Sequence, residues 1–160
     1  MPAGERTRRM VSVQPDWLRG VPERVGDERL PPGRLVFTGC GTAFHAAQTG
    51  GEAVQALEAV LSPPEADLLV VVSHGGETTM TVEAARAFHG PIWLVTGEAE
   101  SPLAKLADRV LVVTPAREES MCHTASYTCA VAALAALRGG DVAWLPEAVA
   151  GALAEREPIS

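Results

Sequence analysis

The stretch Leu68-Leu69-Val70-Val71-Val72-Ser73-His74-Gly75-Gly76-Glu77-Thr78 carries the strongest strand signal in the chain, with a loop directly behind it. A continuous apolar run of this length is typical of a parallel strand that is buried on both faces. The paired glycines end the strand, and the residues from Thr78 to Phe88 favour a helix. The stretch therefore predicts a strand, a tight loop and a helix in succession.

Similar apolar runs precede and follow this stretch. Strands are predicted at Leu35–Phe37, Pro91–Val95 and Val110–Val113, and a further one at Leu57–Leu61. Because Ala and Glu are poor strand formers, the last of these segments is also compatible with a continued helix. Helices are predicted over residues 42–48, 101–107, 121–137 and 145–154. This alternation indicates an α/β fold, a three-layer α-β-α sandwich around a parallel sheet of about five strands.

The length of the chain favours a single domain. Its 160 residues, 47% of them hydrophobic, suffice for one continuous core. Apolar residues between Trp17 and Val25 are spaced as on one helix face, which predicts a helical lead-in over residues 1–30 before one domain over residues 31–155. The last residues, Arg156–Ser160, are predicted to be disordered.

Charge and cysteine content argue against several classes of function. A formal net charge of −7 with dispersed basic residues argues against a nucleic acid or an anionic membrane as the partner. No apolar segment has the length of a transmembrane helix or of the apolar region of a signal peptide. Cys40, Cys122 and Cys129 lack the spacing of metal ligands and suit reduced thiols. We therefore expect a cytoplasmic protein without a metal or a cofactor.

Chemistry is expected in the loops after the strands, because ligands bind at the carboxyl ends of the strands in parallel sheets. The first such loop is Gly39-Cys40-Gly41-Thr42, and the second is Ser73–Thr78. Hydroxyls and backbone amides at a helix N-terminus suit a phosphate, although each loop is also compatible with a simple turn or helix cap. Neither loop has the lysine of a nucleotide P-loop, and the first lacks the third glycine of a dinucleotide fingerprint, so a sugar phosphate is favoured. A third polar segment, Glu118–Thr128, is expected at the same edge of the sheet.

Taken in this order, the three segments resemble the sugar isomerase (SIS) domain family. Residues 40–43 resemble its Cys-Gly-Thr-Ser, residues 73–78 its Ser-x-Ser-Gly-Glu-Thr phosphate loop, and residues 119–128 its Glu-Ser-Val-Ala-x-Thr-x-Ser-Phe-Thr segment. The resemblance spans Leu35–Leu137 and implies a flavodoxin-like parallel sheet. Residues 13–19 are also similar to the lead-in of proteins with two tandem SIS domains.

The resemblance implies which groups contact the phosphate. They are the side chains of Thr42, Ser73 and Thr78 and the backbone amides of Gly41, His74, Gly75 and Gly76. Three positions depart from the family, since Ala43 replaces a Ser, Gly75 replaces the second Ser of the phosphate loop, and His74 stands where Gln is common. Each lost hydroxyl removes a hydrogen bond that contributes about 0.5–1.5 kcal/mol. Alternatively, a protonated His74 adds a charge-assisted contact and strengthens phosphate binding below about pH 6.5.

The resemblance implies a phosphosugar isomerase that interconverts ketoses and aldoses, an amino-sugar-phosphate deaminase, or the N-terminal half of either. In the tandem proteins the catalytic residues come mainly from the second SIS domain, so the alternative is a non-catalytic sugar-phosphate sensor or binding domain. In each case the implied ligand is a hexose-6-phosphate or an amino-sugar phosphate.

Isomerisation needs a base, and several acids and histidines near the loops are candidates. They are Glu77, Glu118, Glu119, His45 and His123. Glu77 and His123 are retained as catalytic candidates. The alternative for Glu77 is an acid in the first turn of a helix, where the helix dipole favours it, and the alternative for His123 is a histidine packed inside a helix. A homodimer is expected through the N-terminal helix and the apolar segment Met121–Leu137, because one small domain can hardly bury both.

Overall fold

Five parallel strands form one sheet in the computed structural model, which describes residues 4–155. The strands are β1 (Leu35–Gly39), β2 (Ala53–Gln55), β3 (Leu68–Val72), β4 (Ile92–Thr96) and β5 (Arg109–Val112). Their order across the sheet is β2-β1-β3-β4-β5. The predicted fold class is confirmed. Residues 1–3 of the predicted lead-in and the segment Arg156–Ser160, predicted to be disordered, lie outside the described residues.

Seven helices accompany these strands within residues 4–155. They are α1 (Glu5–Arg19), α2 (Val21–Val25), α3 (Thr42–Gly50), α4 (Ala56–Leu61), α5 (Thr79–Ala87), α6 (Ala125–Leu137) and α7 (Leu145–Ala154). The predicted lead-in is thus two helices that meet at Gly20. In the described part of the chain, no helix combines the length and apolar character needed to cross a membrane.

Both faces of the sheet are covered by helices. Side chains alternate between the two faces of a strand, and all five side chains of β3 are apolar and buried, so each face needs a cover. Val70 and Val72 belong to a core on the face that carries α1, α2, α3 and α6. Leu69 and Val71 belong to a second core on the opposite face, against Val82 and its neighbours on α5. The layers are therefore helix, sheet and helix, as the apolar strands predict.

Helix α6 is buried within the chain itself. Nine of its thirteen residues are buried, and α1, α2 and α3 pack against it. Leu18, Val21 and Val25 from the lead-in join the same core as α6. The argument that this helix needs a second copy of the chain to cover it is therefore wrong. The homodimer itself stays a prediction.

The strand predicted at Leu57–Leu61 is wrong, because these residues belong to α4. The sheet is completed instead by β2, a three-residue strand that pairs with the end of β1. Gln55 and Glu58 form a capping box at the start of α4, with Glu58 Oε2 accepting a hydrogen bond from the Gln55 amide at 3.2 Å. The helix-favouring Ala and Glu residues of this segment therefore form a helix.

Two helix predictions need correction, one in its existence and one in its start. Residues 101–107 form a series of turns, although Ser101 Oγ does accept a hydrogen bond from the Ala104 amide at 3.1 Å as a cap would. The Leu103 amide donates a hydrogen bond to the carbonyl of Gly76 at 3.1 Å, so its partner lies outside residues 101–107. Helix α6 begins at Ala125 and not at Met121, because the Thr124 amide binds the carboxylate of Glu118.

The strand order creates one crevice at the carboxyl edge of the sheet. β1 and β3 are neighbours, but α3 leaves β1 toward one face and α5 leaves β3 toward the other. In open α/β sheets such a switch point is where ligands bind. The loops after β1 and β3 therefore lie side by side at the expected place for a site.

Candidate functional site

Two helices begin at this crevice without side-chain caps. The N-cap residues are Gly41 for α3 and Thr78 for α5, and neither helix start has a hydrogen bond from its cap side chain. The first amides of a helix carry a partial positive charge and favour an anion. Thr42 and Thr78 are exposed here, whereas Ser73 is buried where β3 ends. The edge therefore presents hydroxyls and amides together, a combination suited to a phosphate.

The loop over residues 73–78 is held from the side of β4. The carbonyl of His74 accepts hydrogen bonds from Thr96 Oγ1 at 3.0 Å and from the Gly97 amide at 2.9 Å. Gly76 has a φ of +63°, and a Cβ there would lie 2.1 Å from Ser101 Oγ. Only glycine fits this position, so the paired glycines set the shape of the loop as well as ending the strand.

The imidazole of His74 is turned inward and used for structure. Its Nε2 accepts a hydrogen bond from the Glu118 amide at 2.8 Å, so Nδ1 carries the proton of the neutral ring. Nδ1 is buried without a hydrogen-bond partner among the described residues, and the ring lies against Gly97, where a Cβ would come within 2.3 Å of it. The ring of His123 meets that of His74 edge-on, with the ring centroids 5.2 Å apart.

The environment of His74 favours the neutral ring. The pKa of His74 is lowered to about 4, chiefly by burial and also by the charges of His123 and Arg117, while the charge of Glu118 acts in the opposite direction. Nε2 is occupied as an acceptor and Nδ1 is buried, so the ring offers no exposed donor to a phosphate in this conformation. The alternative in which a protonated His74 contacts the ligand stays a prediction, which this conformation disfavours.

Glu118 is a buried carboxylate with four hydrogen bonds. Thr124 donates its amide at 2.7 Å and its hydroxyl at 3.0 Å, and Ser126 donates its amide at 2.8 Å and its hydroxyl at 2.6 Å. Burial by itself raises the pKa of Glu118, but the hydrogen bonds from Ser126 and Thr124 outweigh it and hold the pKa below its usual range. Glu118 therefore caps α6 and, with its oxygens occupied, is poorly suited to act as a general base.

A small cavity lies between α3, α6 and the ends of the central strands. Its lining includes Thr42, Ala43, His74, His123 and Tyr127. The cavity volume is about 20 Å³, which is room for a single water molecule. The structure thus brings four of the predicted site residues together around this cavity, with Ser73 and Thr78 in the adjoining loop.

The other candidate bases lie at the rim or away from it. Glu77 is exposed, and its Oε2 lies 3.5 Å from Arg117 Nη2. Glu119 is exposed and pairs with Arg9 of α1 at 3.2 Å. His45 is exposed, with Nδ1 hydrogen-bonded to Gln48 at 3.0 Å. His123 lies half-buried in the loop before α6, not inside a helix.

Sequence reasoning missed the contribution of the loop after β4. Thr96 and Gly97 hold the carbonyl of His74, and Ser101 lies against Gly76. The signal was present, because this loop also follows a predicted parallel strand and so opens at the same edge of the sheet. Arg117 was missed as well, and no local motif marks it. Tyr127 lies in the segment 119–128 that resembles the family, but it was not predicted to line the site.

Comparisons with known proteins agree with this architecture. A family model of the SIS domain matches residues 53–138. Glucosamine-6-phosphate deaminase from Thermotoga maritima shares 23% identity, with a TM-score of 0.71 over 91% of this chain and 53% of that one. Tagatose-6-phosphate ketose/aldose isomerase from Escherichia coli shares 20% identity, with a TM-score of 0.72 over 94% of this chain and 52% of that one. The Vibrio vulnificus NanR protein complexed with ManNAc-6P shares 19% identity, with a TM-score of 0.50 over 94% of this chain and 66% of that one.

These structural similarities show a shared fold. The chain spans about half the length of the deaminase and of the isomerase. Among curated proteins, no sequence matches this chain.

The hydrogen bonds of Glu118 predict that the same substitution costs much more stability at Glu118 than at the adjacent Glu119. Glu118→Gln places an amide group against the donors of Thr124 and Ser126, so we expect a loss of about 2 kcal/mol or more in the free energy of unfolding. Glu119→Gln is the matched control, because its exposed ion pair contributes less than about 1 kcal/mol. Urea unfolding followed by circular dichroism measures both, and equal losses would contradict the assigned cap.

The neutral His74 predicts a stability that falls in mild acid. The pKa of His74 is lowered from 6.5 to about 4 in the folded chain, so the unfolded chain binds more protons between these values. The free energy of unfolding should therefore decrease as the pH falls below about 6.5, by at most about 1.4 kcal/mol per pH unit. His74→Gln should flatten this slope above about pH 4.5. Below that pH the carboxylates begin to titrate and add their own dependence. His45→Gln, at an exposed position, should keep the slope of the parent chain.

Proposed function

The chain belongs to the SIS domain family, and we propose that it binds the phosphate group of a sugar phosphate between the loops after β1 and β3. The observation that carries the proposal is the pair of helix starts without side-chain caps at the switch point of the sheet. An anion there meets oriented amides and the positive ends of two helices. The family's phosphate loop coincides with one of these helix starts.

The proposed phosphate ligands are those that the family resemblance implies, with changed roles for two residues. The hydroxyls are those of Thr42, Ser73 and Thr78, and the amides those of Gly41, His74, Gly75 and Gly76. His74 contributes only its amide, because its ring is turned to Glu118. Ala43 contributes shape to the neighbouring cavity and no hydroxyl. The proposed ligand is a hexose-6-phosphate or an amino-sugar phosphate.

For the activity, we propose a ketose/aldose-phosphate isomerase or an amino-sugar-phosphate deaminase, or one half of such an enzyme. The two named enzymes of this fold catalyse reactions of these classes. A proton transfer of this kind needs a base with an accessible lone pair. Glu77 at the rim and His123 at the cavity are the candidates for that role among the described residues.

A second candidate function is a sensor or binding domain without catalysis. The observation that favours it is the use of Glu118 and His74 in hydrogen bonds within the protein, which removes two titratable groups from chemistry. The NanR protein, which shares the fold, was solved in complex with the sugar phosphate ManNAc-6P. A homodimer, a cytoplasmic location and the absence of nucleic-acid and membrane partners remain predictions.

Removal of one hydroxyl tests the phosphate site. We expect Ser73→Ala to weaken the binding of glucosamine-6-phosphate or fructose-6-phosphate about tenfold, which corresponds to about 1.4 kcal/mol for a hydrogen bond to a charged group. Calorimetric titration of the purified chain measures the affinity. The matched control is Ser62→Ala, because Ser62 is exposed and precedes β3 at the opposite edge of the sheet. Unchanged affinity in the Ser73 variant would contradict the site.

Turnover separates the two functions. Proton NMR of the purified chain with fructose-6-phosphate and glucosamine-6-phosphate detects isomer formation or ammonia release without a coupling enzyme. The enzyme proposal predicts conversion that is lost in Glu77→Gln or His123→Gln although both variants still bind the ligand. Ligand-dependent thermal stabilisation without conversion would favour the binding domain.

A further inference from the structure

An arginine of the loop after β5 lies over the phosphate loop. Nη2 of Arg117 is 3.8 Å from the position that a Cβ on Gly75 would take, and 3.5 Å from Oε2 of Glu77. Its charge also contributes to the lowered pKa of His74. The guanidinium therefore lies beside the loop in which a phosphate is proposed to bind.

The backbone on either side of Arg117 is anchored. The carbonyl of Ala116 accepts a hydrogen bond from Thr114 Oγ1 at 3.0 Å, and the amide of Glu118 is donated to His74 Nε2 at 2.8 Å. The carboxylate of Glu118 is itself held by four donors. The side chain of Arg117, by contrast, is 63% exposed. Its Cα is thus fixed beside the loop while its guanidinium is free to change partner.

The ion pair with Glu77 is weak enough to be exchanged. Both side chains are more than 60% exposed and their closest atoms are 3.5 Å apart. Exposed pairs of this kind contribute little to stability, because water screens the attraction and both side chains lose freedom. A dianionic phosphate in the adjoining loop attracts the guanidinium more strongly, since it accepts two parallel hydrogen bonds from the planar fork.

The rest of the proposed cradle lacks a full positive charge. Its hydroxyls and amides are neutral, the net charge of the chain is −7, and Glu77 places a negative charge at the rim. Gly75 also lacks the hydroxyl that the family's loop carries at that position. A cation that reaches Gly75 supplies the positive charge that the loop lacks, and donors in place of the missing hydroxyl.

We propose that Arg117 recognises the charge of the ligand: on binding of a phosphomonoester its guanidinium leaves Glu77 and pairs with the phosphate oxygens, in place of the hydroxyl absent at Gly75. This rests on the proposed phosphate site and deepens it. The affinity then depends on the charge of the phosphate and weakens as salt screens the ion pair.

The test combines removal of the arginine with restoration of the family's hydroxyl. Calorimetric titrations with fructose-6-phosphate and with inorganic phosphate compare the parent chain with Arg117→Gln, Glu77→Gln and the double variant Gly75→Ser with Arg117→Gln. Serine fits at position 75, because the nearest atom to its Cβ is the flexible end of Arg117 and the backbone there is not left-handed. Arg86→Gln on α5 is the control, an exposed arginine in an ion pair with Glu83.

We expect Arg117→Gln to weaken the binding of both ligands about tenfold or more and to reduce the salt dependence of the affinity. The added serine should recover part of this loss, and Glu77→Gln should strengthen binding a few-fold because the competing carboxylate is gone. Arg86→Gln should leave the affinity unchanged. The thermal midpoint of each unbound variant reports whether the fold is intact, which the exposure of Arg117 favours.

Affinity within twofold of the parent chain for Arg117→Gln overturns the proposal. If Ser73→Ala weakens binding in the same series, the phosphate site stands and Arg117 alone is excluded from it. If the parent chain binds neither ligand, or if neither variant changes the affinity, the phosphate site is overturned together with the role of Arg117.

Discussion

The buried carboxylate of Glu118 is the group on which the functional edge of the sheet depends. An ionised carboxylate is tolerated in a protein interior only where hydrogen bonds replace the lost water. Thr124 and Ser126 provide those bonds and thereby determine where α6 begins. The amide of Glu118 donates a hydrogen bond to Nε2 of His74. One residue therefore links the central helix of one layer to the loop after β3.

This link requires a neutral His74. If Nε2 were protonated, two hydrogen-bond donors, Nε2–H and the amide of Glu118, would face each other. Burial, which lowers the pKa of His74, and the hydrogen bond, which needs a lone pair, therefore favour the same state. A Gln, which is common at this position in the family, would also offer an acceptor to the amide of Glu118.

The sequence predicts those parts of the fold that local rules determine. β3 was recognisable because a continuous apolar run is buried on both faces, whereas β2 has three half-buried or exposed residues and exists through its pairing with β1. The Ser101 cap was also recognisable, but the Leu103 amide binds the distant carbonyl of Gly76, and no local pattern reports such a contact. Position along the chain located the loops of the candidate site, because parallel strands all end at one edge.

The roles of individual side chains were less predictable, because they depend on contacts between segments far apart in the chain. Glu118 and Glu119 are adjacent and chemically identical, yet the first caps α6 and the second pairs with Arg9 at the surface. Arg117 carries no motif, and its position over Gly75 arises from anchors on both sides of it.

The same anchors connect ligand binding to the chemistry of the rim. Glu118 and His74 already use the lone pairs that a base would need, so a base for the proposed proton transfer would have to come from outside this network. Glu77 is such a group, but in the unbound chain it faces Arg117. Movement of that guanidinium to a phosphate would leave the carboxylate of Glu77 without its cation at the moment when a sugar is held beside it. An acid that is paired in the empty site and free in the occupied one serves as a base only when substrate is present. The exchange of a single weak ion pair would then both recognise the phosphate and release the base.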